Sequence, residues 1–219
     1  MVQRQGAGGS ALQSGLSHSG DMMKDSVLVT GFEPFDGRSC NASWIAARSL
    51  ALTPGVRVLC LPVIWGAPLD ALHAICSEDC PTTIVSMGEG RPGWFDIETV
   101  ARNIRADRAD NAGTVTREPI IRGGPERRSA TIDTQSLKGS LAARGHPTRT
   151  STDAGGFLCE ETLYSLERLR ELHPKLQRVA FCHLPPADST CTEDGALERC
   201  TEDAVRSFAH DLVDVARQL

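Results

Sequence analysis

Short apolar runs alternate with helical segments along this chain, and that alternation limits the folds open to it more than any other feature. Strands that alternate with helices favour a parallel sheet covered on both faces, and short strands that are apolar throughout fit burial on two sides. We therefore predict an α/β fold, a three-layer α/β/α sandwich around a mostly parallel, twisted central sheet. The predicted strands cover residues 26–30, 56–63, 82–87, 147–151 and 179–183, and the predicted helices cover 44–50, 68–76, 135–144, a stretch from 159 onward and 205–216.

Several predicted strands end at residues that can carry chemistry or that leave room for it. Gly31, Gly88 and His183 each fall at a strand end, and Cys159 follows the strand at 147–151. In open α/β sheets, ligands bind beyond the carboxyl ends of the strands. We therefore expect these residues to surround one site.

Length and charge bound the number of domains and the kinds of partner. At 219 residues the chain can bury one sizeable core, and we predict a single α/β domain at 26–219. Residues 1–25 are rich in Gly, Ser and Gln, which predicts a disordered extension, and they lack the apolar core of an export signal. A net charge of -5 argues against a nucleic-acid partner, and no apolar stretch approaches the roughly 20 residues that cross a membrane. These features predict a cytoplasmic protein with no nucleic-acid or membrane partner.

The eight cysteines could form disulfides, bind structural zinc or remain reduced thiols. An even number suits disulfides in a secreted protein, but no export signal is visible. Cys76 and Cys80 are four residues apart, yet no second close Cys/His pair completes a tetrahedral zinc site. The sequence has no Cys-x-x-Cys pair, which argues against a redox role. We predict reduced cytosolic thiols and no metal site.

Cys159 is the best-placed nucleophile among these thiols. A glycine pair, Gly155 and Gly156, turns the chain just before the cysteine, which falls in what the pattern predicts as the first turn of a helix. The positive end of a helix favours the thiolate, which is the reactive form.

A cysteine nucleophile needs a base, and the base often needs a residue that holds it. His183, at a strand end, is the best candidate for the base, and Glu98 for the residue that orients its ring. Taken alone, each has an ordinary structural explanation: such a histidine is more often a structural one, and a loop glutamate is more often solvated.

Five motifs in the same order resemble those of the pyroglutamyl-peptidase type I (pyrrolidone-carboxylate peptidase) family, with the chain as a divergent member. The resemblance runs from about Val27 to the last helix. The motifs are Val29-Thr-Gly-Phe-Glu-Pro-Phe-Asp-Gly37, Ile97-Glu-Thr-Val-Ala-Arg-Asn103, Asp110-Asn-Ala-Gly113, Asp153-Ala-Gly-Gly-Phe-Leu-Cys159 and Phe181-Cys-His-Leu-Pro185.

The resemblance implies a cysteine exopeptidase that removes an N-terminal pyroglutamyl residue from a peptide and needs no cofactor. Cys159 would be the nucleophile, His183 the base and then the acid, and Glu98 the residue that orients the imidazole. Backbone N–H groups near Gly155, Gly156 and Cys159 are the expected oxyanion donors. Family members often assemble, so a homo-dimer or homo-tetramer is expected.

The resemblance also implies the pocket that holds the lactam ring. Phe32, Phe35 and Phe157 occupy the positions of the family's ring-contacting phenylalanines, and a flat, mostly apolar lactam suits aromatic walls. Glu89 stands where the family usually has Gln; its carboxylate accepts from the lactam N–H but cannot donate to the lactam carbonyl.

Two further departures lie beside the predicted catalytic residues. Thr99 follows Glu98 where Arg is common, and Glu160 follows Cys159 where Asn is common. The charge of Glu160 would oppose thiolate formation unless its carboxylate points away. The alternative to a working peptidase is a catalytically weak relative that binds a small ligand or a peptide N-terminus in the same cleft.

Overall fold

The computed structural model describes residues 26–219, so the predicted extension at 1–25 lies outside the described residues. Within that range strands and helices alternate as the sequence predicts, except that four strands follow one another between residues 83 and 129. The elements are β1 (Val27–Phe32), α1 (Ala42–Ser49), β2 (Val56–Leu61), α2 (Ala67–Asp79), β3 (Thr83–Glu89), β4 (Phe95–Glu98), β5 (Val100–Arg102), β6 (Arg127–Ser129), α3 (Thr134–Ala143), β7 (Thr148–Ser151), α4 (Leu158–Leu172), β8 (Arg178–Leu184) and α5 (Glu202–Ala216).

Six strands form the central sheet in the order β2-β1-β3-β8-β4-β7. Strands β2, β1, β3 and β8 run parallel, while β4 is antiparallel to β8 and parallel to β7. One apolar cluster packs helices α1, α3 and α5 on one face of the sheet, and a second packs α2 and α4 on the other. The predicted α/β fold with a mostly parallel sheet is thus confirmed.

Local signals explain where the helices begin. The side chain of Asn41 accepts a hydrogen bond from the backbone N–H of Ser43 at 3.0 Å and caps α1, as an asparagine at this position favours. The helix therefore starts at Ala42, two residues before the predicted start. The α5 helix has a similar cap, because Thr201 accepts from the N–H of Ala204 at 3.1 Å.

The sequence pattern misses strands β4, β5 and β6. In β4, Phe95 and Ile97 pack into the α1 side of the core, while the buried carboxylates of Asp96 and Glu98 alternate with them. Apolar and acidic residues alternate over only four positions, the shortest run on which alternation indicates a strand, and this short run does not stand out beside the proline and glycine that precede it.

The register of the strands aligns the residues that form the sheet side of the site described below. Gly88 of β3 pairs with His183 of β8, His183 pairs with Asp96 of β4, and Asp96 pairs with Arg149 of β7. Residues directly opposite each other in neighbouring strands share a face of the sheet. Phe181, two residues before His183, belongs to the α4 side of the core, so this row faces α4.

Among residues 26–219, no helix is long and apolar enough to span a bilayer.

Candidate active site

Glu98 and His183 are joined by a short hydrogen bond. The Nδ1–H of His183 donates to Oε1 of Glu98 at 2.7 Å. The antiparallel neighbours β4 and β8 bring the two residues together across 85 positions of sequence. Both are buried, and Oε2 of Glu98 has no hydrogen-bond partner among the described residues. The carboxylate therefore directs its charge at the imidazole.

Cys159 is the second residue of α4, at the end whose dipole favours an anion. The loop before it turns through Gly155 and Gly156, whose φ angles of +87° and +70° suit glycine rather than a residue with a side chain. This turn carries the chain from the end of β7 to the first turn of the helix.

Gly88 lets the Cys159 sulfur and the His183 ring meet over the sheet. A Cβ built on this glycine would lie 2.6 Å from Sγ of Cys159, 3.2 Å from Cδ2 of His183 and 3.1 Å from Cζ of Phe181. The sulfur and the imidazole thus border the same small space, which any larger residue at this position would fill.

The charges of this cluster keep His183 protonated. Burial lowers the pKa of His183, but the charge and hydrogen bond of the Cys159 sulfur, together with Glu98, outweigh burial and raise the pKa to about 10. The imidazolium therefore persists at neutral pH. Because the ordinary value is about 6.5, its stabilising contribution is complete below that pH and is lost as pH rises through about 10.

Four other thiols lack an imidazolium partner of this kind. All eight cysteines are free. Burial raises the pKa of Cys60 and of Cys200 to about 11 and that of Cys76 to about 12. Burial also raises the pKa of Cys182. These four stay protonated at neutral pH and are poor nucleophiles.

Two of the three expected oxyanion donors are already engaged. The N–H of Gly155 donates to Oδ1 of Asp153 at 3.1 Å, and the N–H of Gly156 donates to Oε2 of Glu160 at 2.9 Å. The expectation for these two glycines is therefore wrong, because local carboxylates take their N–H groups to hold the turn. The N–H of Cys159 lies in the first helical turn, which has no intrahelical acceptor, and it stays a candidate donor.

Glu160 does not leave an unpaired charge beside the thiol. Its buried carboxylate accepts three hydrogen bonds from Arg102. The backbone N–H donates at 2.6 Å, Nη2 at 2.7 Å and Nε at 3.2 Å. Arg102 also pairs with Asp153. The ion pair neutralises Glu160 and ties β5 to the turn before α4. Thr99, the other departure, donates through Oγ1 to the carbonyl of Ser151 at 2.7 Å.

A cleft of about 680 Å³ opens over this cluster. Every predicted site residue borders it: the three predicted catalytic residues and the four predicted to contact substrate, Phe32, Phe35, Glu89 and Phe157. The rings of Phe35 and Phe157 are tilted, with centroids 6.3 Å apart.

Sequence reasoning missed Arg108, which borders the aromatic end of the cleft, and Trp65, which packs against one of its rings. The guanidinium of Arg108 lies 4.7 Å from the ring centroid of Phe157 and 5.1 Å from that of Phe35. Trp65 meets Phe157 edge-on, with centroids 5.0 Å apart. Arg108 lies two residues before the Asp110-Asn-Ala-Gly113 motif, but neither Arg108 nor Trp65 belongs to a motif, and their positions beside Phe157 depend on the fold.

Glu89 borders the cleft with its carboxylate already bonded. Oε2 accepts from the N–H of Ala42 at 2.8 Å, at the start of α1, and Oε1 pairs with Arg38. Burial raises the pKa of Glu89, while Ala42 and Arg38 work against that rise. Any ligand at this position therefore meets an ion pair rather than an isolated carboxylate.

A match to a family model establishes the protein family of this chain. The model described as pyroglutamyl peptidase matches residues 25–217. The chain belongs to the pyroglutamyl peptidase family.

Similar proteins agree with that family membership. The chain is 38% identical over 167 residues to a pyrrolidone-carboxylate peptidase from Chromobacterium violaceum, covering 73% of this chain and 77% of the relative. It is 33% identical over 204 residues to one from Klebsiella pneumoniae, covering 82% and 92%.

Solved structures of the family share the fold. The crystal structure of pyroglutamyl peptidase I from Bacillus amyloliquefaciens matches with a TM-score of 0.79 at 25% identity, over 89% of this chain and 98% of that one. A mutant pyrrolidone carboxyl peptidase from the hyperthermophile Pyrococcus furiosus matches with a TM-score of 0.78 at 26% identity, over 88% and 98%. The resemblance inferred from the five motifs is confirmed, and the chain is an enzyme of this family of cysteine omega peptidases.

The packing over the sheet predicts that Gly88→Ala disables this pyroglutamyl peptidase. The new Cβ has to displace the Cys159 sulfur or the imidazole, and a misplacement of about 1 Å costs about a hundredfold in rate. We expect kcat/KM on a pyroglutamyl amide to fall by about that factor. The control is Gly139→Ala in α3, where a Cβ meets nothing within 4 Å and activity should not change. A Gly88→Ala enzyme within threefold of the parent would contradict the packing described.

Proposed function

We propose that this chain hydrolyses the amide bond after an N-terminal pyroglutamyl residue, with Cys159 as nucleophile, His183 as base and acid, and Glu98 as the residue that orients His183. Membership of the pyroglutamyl peptidase family supports the reaction. The observation that carries the assignment of residues is the 2.7 Å bond from His183 to Glu98, with the Cys159 sulfur on the other side of the ring.

The proposed reaction forms and then hydrolyses a thioester. The thiolate attacks the scissile carbonyl carbon, and the electron pair of the C=O bond moves to oxygen, near the N–H of Cys159. The oxyanion re-forms the carbonyl, the C–N bond breaks, and His183 gives its proton to the leaving nitrogen. The neutral imidazole then takes a proton from water, whose oxygen attacks the thioester and releases pyroglutamate and the thiolate.

In this proposal the lactam ring lies at the aromatic end of the cleft. Phe32, Phe35 and Phe157 supply apolar walls, which suit a flat ring with few polar atoms. Glu89 accepts from the lactam N–H, beside its bond to Ala42. Its position on the cleft, bonded to the first residue of α1, supports this role.

The remaining expectations go with this function as proposals. One domain at 26–219 is supported by two apolar clusters packed on a single six-stranded sheet. A cytoplasmic location is supported by eight free cysteines, which suit a reducing compartment. A homo-dimer or homo-tetramer stays a prediction from the family resemblance.

Turnover of a pyroglutamyl-linked chromogenic amide tests the function. We expect the parent enzyme to release the chromophore and Cys159→Ala to release none above background, because no other group can form the thioester. Cys40→Ala, which removes an exposed thiol, is the matched control and should keep full activity. If the parent binds pyroglutamyl peptides but cleaves neither blocked nor free N-termini, the chain is the weak, ligand-binding relative instead.

Substitution of Glu89 tests the lactam pocket. In Glu89→Gln, an amide oxygen can still accept from the N–H of Ala42, while the amide N–H₂ can donate to the lactam carbonyl. One added hydrogen bond between neutral groups is worth about two- to tenfold in binding. We expect KM for pyroglutamyl amides to fall by about that factor. An unchanged KM would remove Glu89 from the pocket, and a higher KM would show that the substrate needs the carboxylate rather than an amide.

A further inference from the structure

Asp96 and Arg149 form a charged pair beside the proposed catalytic histidine that the reaction above does not use. Asp96 is only 7% exposed and lies directly opposite His183 in the β4–β8 pairing. Its Oδ1 accepts from Nε of Arg149 at 2.5 Å, and its Oδ2 accepts from Nη2 at 3.3 Å. Both residues border the cleft.

The order of strands puts this pair on the far side of His183 from the aromatic pocket. Phe32 ends β1, and the strands continue in the order β1-β3-β8-β4-β7. His183 on β8 therefore lies between the phenylalanine end and the pair on β4 and β7. A substrate with its lactam at the aromatic end and its scissile carbon at the Cys159 sulfur has its leaving residue over Asp96.

The leaving nitrogen has the chemistry that a carboxylate recognises. In a peptide it carries one hydrogen, and it gains a second proton from His183 as the C–N bond breaks. A carboxylate accepts the N–H and stabilises the positive charge that develops on nitrogen. Each carboxylate oxygen has two lone pairs, so the bonds from Arg149 leave acceptor capacity on both.

Contacts on its outer side hold the arginine in place. The guanidinium of Arg149 lies 5.3 Å from the ring centroid of Trp94, and its Nη1 is 4.0 Å from Oε1 of Glu193. Glu193 does not border the cleft. With Arg149 fixed, the plane of the Asp96 carboxylate is fixed as well.

We propose that Asp96 is a catalytic residue that accepts a hydrogen bond from the leaving nitrogen, making the Asp96–Arg149 pair a subsite for leaving groups joined through a secondary amide. This inference rests on the proposed function. The competing explanation is a purely structural pair that ties β4 to β7.

Two substrates that differ at one atom separate these explanations: pyroglutamyl-alaninamide and its depsipeptide analogue, in which lactamide replaces alaninamide and an ester oxygen replaces the N–H. Both place a similar leaving group over Asp96, but only the amide has a hydrogen to donate. Values of kcat/KM, measured by chromatography of released pyroglutamate, report every step through acylation.

In Asp96→Asn, loss of the charge should lower kcat/KM for the amide by about tenfold or more, with the ester within threefold of the parent. Asp96→Thr, a neutral residue that favours strands, repeats the test if the asparagine variant folds poorly. Asp203→Asn removes the same charge from an exposed ion pair with Arg206 on α5, away from the cleft, and should leave both substrates unchanged.

An amide-to-ester ratio of kcat/KM that stays unchanged in the folded variants, whether both values fall equally or neither falls, would overturn the inference and favour the structural explanation. That result leaves the proposed function intact, since the parent still cleaves the amide. If the parent cleaves neither substrate, the proposed function fails, and the role of Asp96 fails with it.

Discussion

The site depends on a row of three adjacent groups: the Glu98 carboxylate, the His183 imidazolium and the Cys159 sulfur. A charge buried alone would be costly, and the imidazolium is stabilised by its neighbours on both sides. The fold contributes the neighbours separately, Glu98 from β4, His183 from β8 and Cys159 from the start of α4. The antiparallel pairing of β4 with β8 therefore matters more to this site than any other feature of the sheet.

Charges around this row are paired so that they do not compete with it. Glu160, next to the nucleophile, is neutralised by Arg102, and the same carboxylate fixes the N–H of Gly156 in the turn before α4. Glu89 is bonded to Arg38 and to the N-terminus of α1. The departures from the family pattern at these two positions thus come with partners elsewhere in the chain, so neither carboxylate is left unpaired near Cys159 and His183.

Sequence reasoning recovers the features of this protein that depend on local pattern. Apolar periodicity marks β1, β3, β8 and α5, and motif order identifies the family. The sequence does not reveal contacts made over long separations. Arg102 meets Glu160 across 58 positions, and Asp96 meets Arg149 across 53. Strand β4 escapes prediction for the same reason, since its two buried carboxylates are acceptable only beside partners on β8 and β7.

Selective alkylation tests the central claim, a single sulfur activated by a buried imidazolium. A limiting amount of iodoacetamide at pH 6, followed by peptide mass mapping, ranks all eight cysteines by reactivity. Because the thiolate is the nucleophile, Cys159 should be modified first, and His183→Ala should slow its modification by about tenfold or more. If the exposed Cys40 is labelled before Cys159, or if loss of the imidazole leaves the rate at Cys159 unchanged, then His183 does not activate this sulfur and the central claim is wrong.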